Sequence, residues 1–373
     1  MNNTILSWNG TDHTAIYMKQ LKENPLYYDP NLKTWVAYSY DYCKALLLNA
    51  EAHVPEPVID ETSPLNSSAK LLSGNLARLS NQQQHEAARG AAMRIWQKIN
   101  EVDMHELLKV LLSTVNTQSF DWVETIGCRL PVQVILKGLN FDRTDSAFII
   151  SNLATLVRVM SPNKTDEDIK MINPVINRVY EITQKHMIAS GFATGNKEET
   201  ELIICNLIGL FIQCYDAGRG LLSNTLLSLV ANREQMRQVN DPNFYQKLVT
   251  ETLRWNPPVH NTRRIAVKDI RLNGQTIRAG ETILIVLAAA NLDYNQFKDP
   301  EKLDISRDNN DQHLTFGIGG HNCLAKYMCI NMAIQTCSFL MDNYQTISII
   351  QKDLIYEPQL NVRLIKELMI SLA

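Results

Sequence analysis

The sequence predicts a mainly helical protein with a small β layer. Helical periodicity recurs along most of the chain, whereas strand patterns occur in only a few places. No internal repeat and no low-complexity linker divides the 373 residues. Hydrophobic residues make up 45% of the chain, which is enough to bury a large core. We therefore expect one large domain over residues 1–373.

Each element of this fold class rests on a local pattern. The stretches with helical spacing are 12–24, 40–50, 81–98, 102–118, 145–160, 167–190, 198–230, 243–255 and 324–341. Residues 34–40 alternate like a strand, and 270–288 indicates two strands joined by an Asn273-Gly274 turn, followed by a buried strand. A last hairpin is predicted within 361–372. The stretches 52–80 and 289–322 are long and irregular, a feature that in a compact domain usually signals function or disorder.

Charge and composition exclude several classes of protein. The net charge of −3, with both signs interspersed, gives no reason to expect nucleic acid or an acidic membrane surface as a partner. The first twenty residues lack the basic and apolar regions of a signal peptide. No stretch approaches the roughly 18 uncharged apolar residues of a spanning helix. We expect a soluble, cytoplasmic protein.

The seven cysteines do not indicate a disulfide framework, because their number is odd and no CxxC pair occurs. Most are expected to be small buried hydrophobic residues. They are Cys43, Cys128, Cys205, Cys214, Cys323, Cys329 and Cys337.

The stretch TFGIGGHNCLAKYMCINMA begins at Thr315 and places three glycines, a histidine and a cysteine before an amphipathic helix. Glycines remove side chains where a large group approaches the backbone, so residues 316–320 predict a surface for a flat ligand. Cys323 precedes a helix predicted to begin near Leu324, whose free N–H groups and dipole favour a thiolate. His321 can donate to an anion. One interpretation is a haem iron ligand.

Two other interpretations of Cys323 stay open on these residues alone. A lone cysteine at a helix start is most often structural. Zinc also binds histidine and cysteine, but Cys323 and Cys329 would lie about 120° apart around a helix and would not easily share one ion.

The motif FGIGGHNCLA at 316–325 resembles the haem-binding loop of the cytochrome P450 family of haem-thiolate monooxygenases. Ala325 stands where the family usually has glycine. The resemblance implies haem b as the cofactor, with Cys323 as the proximal iron ligand and His321 bonded to a haem propionate. It also makes Phe316 and Gly317 cofactor-binding residues. It covers the chain well from about residue 75 to the C-terminus.

Further segments follow in the order of that family. Glu251 and Arg254 share a helical face, and with Arg307 they match a buried Glu-Arg-Arg network whose implied role is to hold the cysteine loop. Such a network must be fully paired, because one orphaned buried charge costs about 3–5 kcal/mol. These three residues are therefore predicted to be structural.

Three more residues match positions that bind the haem propionates in the family. His85 and Arg89 lie four positions apart on one helical face, and Arg264 lies in TRRIA. Arginine suits this task because it forms bidentate charge-assisted bonds. For His85 and Arg89 the alternative is a solvated helix face.

The stretch QCYDAG at 213–218 matches the helix that crosses the oxygen-binding face in the family, but Ala217 replaces the usual threonine. That hydroxyl organises proton delivery, which alanine cannot do. Gln213, Asp216 and Ala217 are the predicted catalytic positions. Protons would come from the substrate's own hydroxyl or amine, or from water held by Asp216 and Gln213. Otherwise the enzyme uses peroxide directly or runs one-electron chemistry.

Neighbouring residues add two expectations and one alternative. If the helix register is shifted by one turn, Ser223 or Thr225 is nearer the iron. Gly218 and Gly220 each cost about 1 kcal/mol against alanine and are predicted to permit a local widening of the helix. Arg219 is expected to point away from the haem and pair elsewhere, the alternative being a substrate carboxylate.

The resemblance also implies the segments that line a substrate pocket. These are about 57–80, 207–221, 259–262 and 363–368. Val259, His260 and Asn261 are the predicted substrate contacts near the haem, with His260 and Asn261 adding polar recognition. The alternative for His260 is a solvated loop histidine.

No flavin or iron–sulfur motif is visible, so electrons are expected from a ferredoxin or flavodoxin with its reductase. Arg94, Lys98 and Lys326 are the predicted basic patch for that partner, or else an ordinary charged surface. The implied reaction is monooxygenation of a C–H bond in a small specialised metabolite, free or tethered to a carrier protein. The alternatives are a peroxide-dependent, coupling or desaturating enzyme, or a haem-binding or recruitment protein that has lost monooxygenation.

Overall fold

The computed structural model describes residues 13–57, 63–161, 164–192, 195–233 and 241–373. The α-helices are α1 His13–Glu23, α2 Tyr40–Leu48, α3 Ser67–Gly74, α4 Gln82–Trp96, α5 Met104–Leu112, α6 Leu130–Gly138, α7 Arg143–Ser151, α8 Leu153–Val157, α9 Asp166–Ala189, α10 Lys197–Ala231, α11 Phe244–Trp255, α12 Leu287–Ala290 and α13 Lys326–Asn343. The strands are β1 Leu26–Asp29, β2 Thr34–Ala37, β3 Ala52–His53, β4 Phe120–Asp121, β5 Thr262–Ala266, β6 Ile270–Leu272, β7 Gln275–Ile277, β8 Thr282–Ile285, β9 Ile347–Ile349 and β10 Met369–Leu372. The predicted class, mainly α with a small β layer, is confirmed.

The chain divides into two compact units, each built from separate segments. Unit 1 comprises residues 1–53, 104–128 and 216–373, and unit 2 comprises 54–103 and 129–215. The prediction of one domain over 1–373 stays a prediction.

A five-stranded sheet in unit 1 has the order β1-β2-β8-β5-β3. Its central strand β8 pairs with β2 in parallel and with β5 in antiparallel orientation. Both faces of β8 are buried: Ile283 and Ile285 pack into one apolar cluster, and Leu284 packs with Tyr17 of α1 into another. A strand covered on both faces reads as a continuous apolar run, as TILI does.

Two smaller sheets complete unit 1. β6 and β7 form a hairpin whose turn residues Asn273 and Gly274 have φ values of 46° and 79°. Both are left-handed, as an Asn-Gly type I′ turn requires, so the predicted turn is confirmed. The predicted hairpin within 361–372 is wrong, because β10 pairs with β4 and β9 instead. The segment before it forms only single bridges, Val362 with Val259 and Ile365 with Tyr356.

Unit 2 is helical, and polar side chains cap the starts of α3, α7 and α9. Thr165 and Asp168 form a reciprocal capping box at the start of α9, which lies within one residue of its predicted bounds. Asn66 caps α3 through Ala69 N and also bonds across to Asn173 of α9. These bonds hold α3, within the stretch predicted to be irregular, against α9.

The longest helix, α10, runs through both units, with residues 197–215 in unit 2 and 216–231 in unit 1. By length and composition alone it is apolar enough to cross a membrane, but 67% of its apolar window is buried inside the fold, as in the core helix of a globular protein. It is α-helical throughout, so the predicted widening at Gly218 and Gly220 is wrong.

Candidate functional site

The loop that carries Cys323 is fixed by its own backbone. Cys323 N donates to Phe316 O at 2.9 Å, and Gly317 N donates to Leu314 O at 2.8 Å. Gly317 has a φ of 65° and Gly319 of 75°, so the turns require glycine. A Cβ on Gly319 would also lie 3.2 Å from Leu48 Cδ2. The loop therefore presents Cys323 from one defined backbone conformation.

The helix after the loop begins later than predicted. α13 starts at Lys326, three residues beyond Cys323, rather than near Leu324. Cys323 therefore lies ahead of the helix, and the loop, not the helix, holds it in place. Lys326 lies with its Nζ 6.0 Å from the centroid of the Phe316 ring.

Solvent exposure distinguishes Cys323 from most other cysteines. Five of the seven are buried, and burial raises the pKa of Cys205 and of Cys337 to about 12. Cys323 is partly exposed, as is Cys128. A ligand can reach a partly exposed thiol but not a buried one, so Cys323 and Cys128 are the two cysteines to consider as ligands.

Behind the loop, Glu251, Arg254 and Arg307 form the predicted network. Arg254 donates to both Glu251 oxygens, at 2.9 and 2.7 Å, and Arg307 Nε donates to Glu251 Oε1 at 3.3 Å. Asp304 N donates to the same oxygen at 3.0 Å. Arg254 and Glu251 are fully buried. The pairing that a buried charge network requires is present.

The remaining Arg254 donors reach main-chain oxygens. Nη1 donates to Asn291 O and Pro300 O, both at 2.9 Å, and Nη2 donates to Lys302 O at 3.0 Å. All donor nitrogens of this buried guanidinium are therefore satisfied. Arg254 fixes the segment that leads into the cysteine loop.

Asn291 connects that network to the loop itself. Its Oδ1 accepts from Leu314 N at 2.7 Å, and its Nδ2 donates to Thr315 Oγ1 at 2.8 Å. Thr315 Oγ1 in turn donates to Leu253 O at 2.6 Å. No local sequence pattern points to Asn291 or Thr315 as anchors, because their partners lie more than twenty residues away. Together they anchor the start of the loop to α11.

Arg264 is a buried cation in β5. It is 4% exposed, and its Nη1 donates to Thr262 Oγ1 and to Arg263 O. Within the described ranges it has no carboxylate partner, and burial lowers its pKa to about 10. A buried guanidinium without an anion is costly unless a ligand supplies one.

In unit 2, α4 carries His85 and Arg89 one turn apart. His85 is buried, and its Nδ1 lies 2.7 Å from Ala77 O. A carbonyl only accepts, so Nδ1 carries the proton, and Nε2 donates only when the ring is cationic. Burial excludes the alternative of a solvated helix face for His85, whereas Arg89 is half-buried.

The predicted catalytic positions lie along α10. Gln213, in unit 2, donates its Nε2 to Gly209 O at 2.9 Å. In unit 1, Asp216 pairs with Arg219 at 3.0 Å, and Ala217 is half-buried. Arg219 is 7% exposed and also lies 3.5 Å from Glu357, so it pairs elsewhere as predicted.

The predicted substrate contacts make bonds within unit 1. Val259 bridges to Val362, and Asn261 Nδ2 donates to Leu360 O at 2.8 Å. His260 is fully buried, with Nδ1 2.9 Å from Tyr17 Oη, so the alternative of a solvated histidine is wrong. Burial above all lowers the pKa of His260 well below its ordinary value. Residues 58–62 of the predicted pocket lie outside the described residues.

Comparison with known proteins shows which family has this arrangement of residues. The family model described as Cytochrome P450 matches residues 225–370, which include the Glu251 network, Arg264 and the cysteine loop. Over these residues the chain matches the cytochrome P450 family.

Several members of the family are similar to the chain. It is 27% identical to cytochrome P450 119 of Sulfolobus acidocaldarius over 83% of this chain and 85% of that one. It is 31% identical to cytochrome P450 CYP107DY1 of Priestia megaterium over 58% of this chain and 55% of that one. The match thus spans about half the length of several curated relatives.

The fold extends the likeness to the whole chain. A solved structure of P450BioI in complex with hexadec-9Z-enoic acid ligated acyl carrier protein has a TM-score of 0.83 and 22% identity. It covers 97% of this chain and 99% of that one.

The side chains fit the haem group of cytochromes P450. Cys323 offers a partly exposed thiol, and Arg264 offers a buried cation that a propionate would neutralise. For zinc the fit is poor, because the described part of the chain contains no group of three or more His, Cys, Asp or Glu side chains placed to hold a metal ion. Haem therefore accounts for these residues better than zinc does.

Proposed function

We propose that this protein is a haem-thiolate monooxygenase that oxidises a C–H bond of a small specialised metabolite. Haem b, when bound, supplies the activation of dioxygen, and a cysteine thiolate ligand pushes electron density toward O–O cleavage. The observation that carries the proposal is the placement of Cys323, a partly exposed thiol on a loop anchored by a buried ion network.

The chain's own residues would bind and orient the cofactor. Cys323 is the iron ligand in this proposal, and Phe316 and Gly317 form the loop against the macrocycle. Arg264 would hold one propionate, because it has a buried positive charge and no anion within the described ranges. His321, His85 and Arg89 are the other proposed propionate donors. A protonated His85 would donate through Nε2, since Nδ1 is bonded to Ala77 O.

Glu251, Arg254 and Arg307 support the ligand loop rather than touch the cofactor. Their charges are satisfied within the network and by main-chain oxygens. We assign them the role of keeping the loop that presents Cys323 in one conformation.

The substrate contacts remain Val259 and Asn261, with His260 holding their segment in place. His260 bonds to Tyr17 of α1, and its main-chain N donates to Asn361 O at 2.9 Å. These bonds hold the segment that carries Val259 and Asn261. His260 would therefore affect substrate binding by positioning these two residues.

The substrate is either free or bound to a carrier protein. One structural neighbour holds an acyl carrier protein with hexadec-9Z-enoic acid, which is a property of that protein. The free acid and its carrier-protein thioester are therefore suitable first probes. A substrate-type shift of the haem absorption with the thioester alone would favour a tethered substrate, and a shift with both would favour a free one.

Electrons would come from a ferredoxin or flavodoxin with its reductase, in the cytoplasm. Of the proposed basic patch, Arg94 in unit 2 forms an ion pair with Glu199. Lys98 lies in unit 2 and Lys326 in unit 1. The ion pair with Glu199 partly neutralises the charge that Arg94 would offer to a redox partner, so Lys98 and Lys326 are the better residues to test.

The absorption spectrum of the reduced protein with carbon monoxide tests the ligand. We expect the red-shifted Soret band of a thiolate-bound haem in the wild type and its loss in Cys323→Ser. Cys128→Ser is the matched control, because Cys128 is the other partly exposed cysteine, and it should retain the band. A thiolate band that survives Cys323→Ser would exclude Cys323 as the ligand.

A second candidate is a peroxide-dependent enzyme or a haem protein that has lost monooxygenation. It is favoured by Ala217, which lacks the usual hydroxyl, and by Asp216, which is ion-paired with Arg219. With a bound probe, product formed in proportion to NADPH through a surrogate reductase supports the monooxygenase. Product formed only with peroxide supports the peroxide-dependent enzyme, and Ala217→Thr should then raise the NADPH-coupled yield.

A further inference from the structure

Three charged side chains of unit 1 meet on one side of α10. Arg219 Nη2 lies 3.0 Å from Asp216 Oδ1, one helical turn earlier, and Arg219 Nη1 lies 3.5 Å from Glu357 Oε1. The Arg219 side chain is 8% exposed, whereas those of Asp216 and Glu357 are 24% and 25% exposed. The arginine is therefore the buried centre of the cluster, and the two carboxylates are its partners.

The same cluster connects α10 to the C-terminal segment. Glu357 N donates to Leu364 O at 2.9 Å, so these two residues belong to one paired stretch. Leu364 also packs on α10, because a Cβ added to Gly220 would lie 2.7 Å from Leu364 Cδ2. α10 and the C-terminal segment are thus joined at two adjacent residues of α10, by an ion pair at Arg219 and by an apolar contact at Gly220.

The arginine is the cation that both carboxylates of this arrangement share. Two carboxylates and one guanidinium carry a net charge of about −1 when all are ionised. Removing Arg219 would leave two partly buried carboxylates without their shared cation, and each would bind a proton more readily. Removing the Glu357 charge would instead keep the ion pair between Asp216 and Arg219.

We propose that Arg219 is a positioning residue that fixes the Asp216 carboxylate beside Ala217 in its charged form and ties it through Glu357 to the C-terminal segment. This inference rests on the proposed function, since it concerns proton handling at the position where the family's hydroxyl is missing. The orientation and the charge of the Asp216 carboxylate are then set by a residue of its own helix, and Asp216 accepts protons from a fixed position.

The test compares Arg219→Met with Glu357→Gln in the haem-reconstituted protein. With a surrogate reductase and no added substrate, the peroxide released per NADPH is measured from pH 4 to pH 9. We expect the acid limb of this profile to move up by about one pH unit in Arg219→Met and to stay in place in Glu357→Gln. Arg219→Lys should restore the wild-type limb, and Asp216→Asn should abolish it.

A second measurement does not depend on activity. Hydrogen exchange at the Glu357 amide should accelerate several-fold in both Arg219→Met and Glu357→Gln, because each breaks the tie to α10. If Arg219→Met does not fold, Arg219→Gln removes the charge while keeping a polar side chain, and the same shift is expected.

The outcomes separate this inference from the proposed function. A purely structural arginine would accelerate exchange in both variants and leave both pH profiles unchanged, which would overturn the inference alone. Absence of a thiolate band in the wild-type spectrum would remove the proposed function and this inference with it.

Discussion

The Arg254 guanidinium donates to the main-chain oxygen of Asn291 at 2.9 Å, while the Asn291 side chain accepts from Leu314 N at 2.7 Å. Asn291 thus connects the buried ion pair of Arg254 to the start of the cysteine loop. Changes in either Arg254 or Asn291 should therefore reach Cys323 without touching it.

Asn291→Ala should loosen the cysteine loop. The substitution leaves the buried Leu314 N without its acceptor, which costs about 1–3 kcal/mol, and removes the donor to Thr315 Oγ1, which still donates to Leu253 O. We expect lower stability in urea unfolding and a smaller fraction of the thiolate band. Asn343→Ala is the control, because Asn343 makes a 2.8 Å bond to Phe339 O at an exposed position. Equal losses in the two variants would contradict the anchoring role of Asn291.

Arg254→Met should destabilise the fold by about 3–5 kcal/mol, since it leaves the fully buried Glu251 charge without its main partner. Arg278→Met is a matched control: its ion pair with Asp269 is 2.9 Å long, close to the 2.9 and 2.7 Å of the Arg254 pair, but it is exposed to solvent. The control should unfold at the wild-type urea concentration. A similar midpoint for both variants would show that the Arg254 network adds little to stability.

Gly220→Ala should destabilise the protein although alanine favours helices. Its Cβ would lie 2.6 Å from Pro258 Cβ and 2.7 Å from Leu364 Cδ2, and overpacking of this kind costs about 1–3 kcal/mol. Gly90→Ala in α4 meets nothing within 4 Å and should stabilise by up to about 1 kcal/mol. Thermal unfolding checks both, and a higher melting temperature for Gly220→Ala would contradict the close contact.

Stability should fall with acid in part through His313. Burial, with the charges of Lys326 and Arg254, lowers the pKa of His313 to about 3. The unfolded chain binds a proton at this residue from about pH 6.5 downward, whereas the folded protein does not. The free energy of unfolding is therefore unaffected above pH 6.5 and declines below it, by about 1.4 kcal/mol per pH unit for this group.

His313→Asn isolates this effect, because asparagine does not titrate and still offers an acceptor to Thr315 N. Urea unfolding between pH 6 and pH 4 should show a slope about one proton smaller than that of the wild type. Identical slopes would mean that His313 is protonated in the folded state too.

Local patterns predicted the long helices well. The bounds of α9, α10 and α11 lie within one residue of the predicted ones, because their apolar spacing is strong and α9 has a capping box. The stretch 145–160 breaks at Asn152, whose side chain donates to Phe148 O and ends α7. Such local side-chain bonds compete with the helix and are hard to weigh from spacing alone.

Non-local pairing explains most of what the sequence did not show. β1 and β3 were missed because they are short edge strands whose partners β2 and β5 complete them. The residues of the Glu251 network were recognised from their motif and order. Asn291 was not, because its importance lies in contacts with Arg254 and Leu314 that no local pattern encodes.

The bond between Tyr17 and His260 has a consequence for synthesis of the chain. The two residues are 243 positions apart, and β2 likewise needs β8 as its parallel neighbour. A ribosome that adds about 5–20 residues per second needs roughly 10–50 s to make the second partner after the first. The buried faces of α1 and β2 are therefore uncovered throughout most of translation, while the last segment of unit 2 ends at residue 215. Unit 2 is complete on the ribosome before unit 1, and the buried faces of α1 and β2 need protection from aggregation until their partners are made.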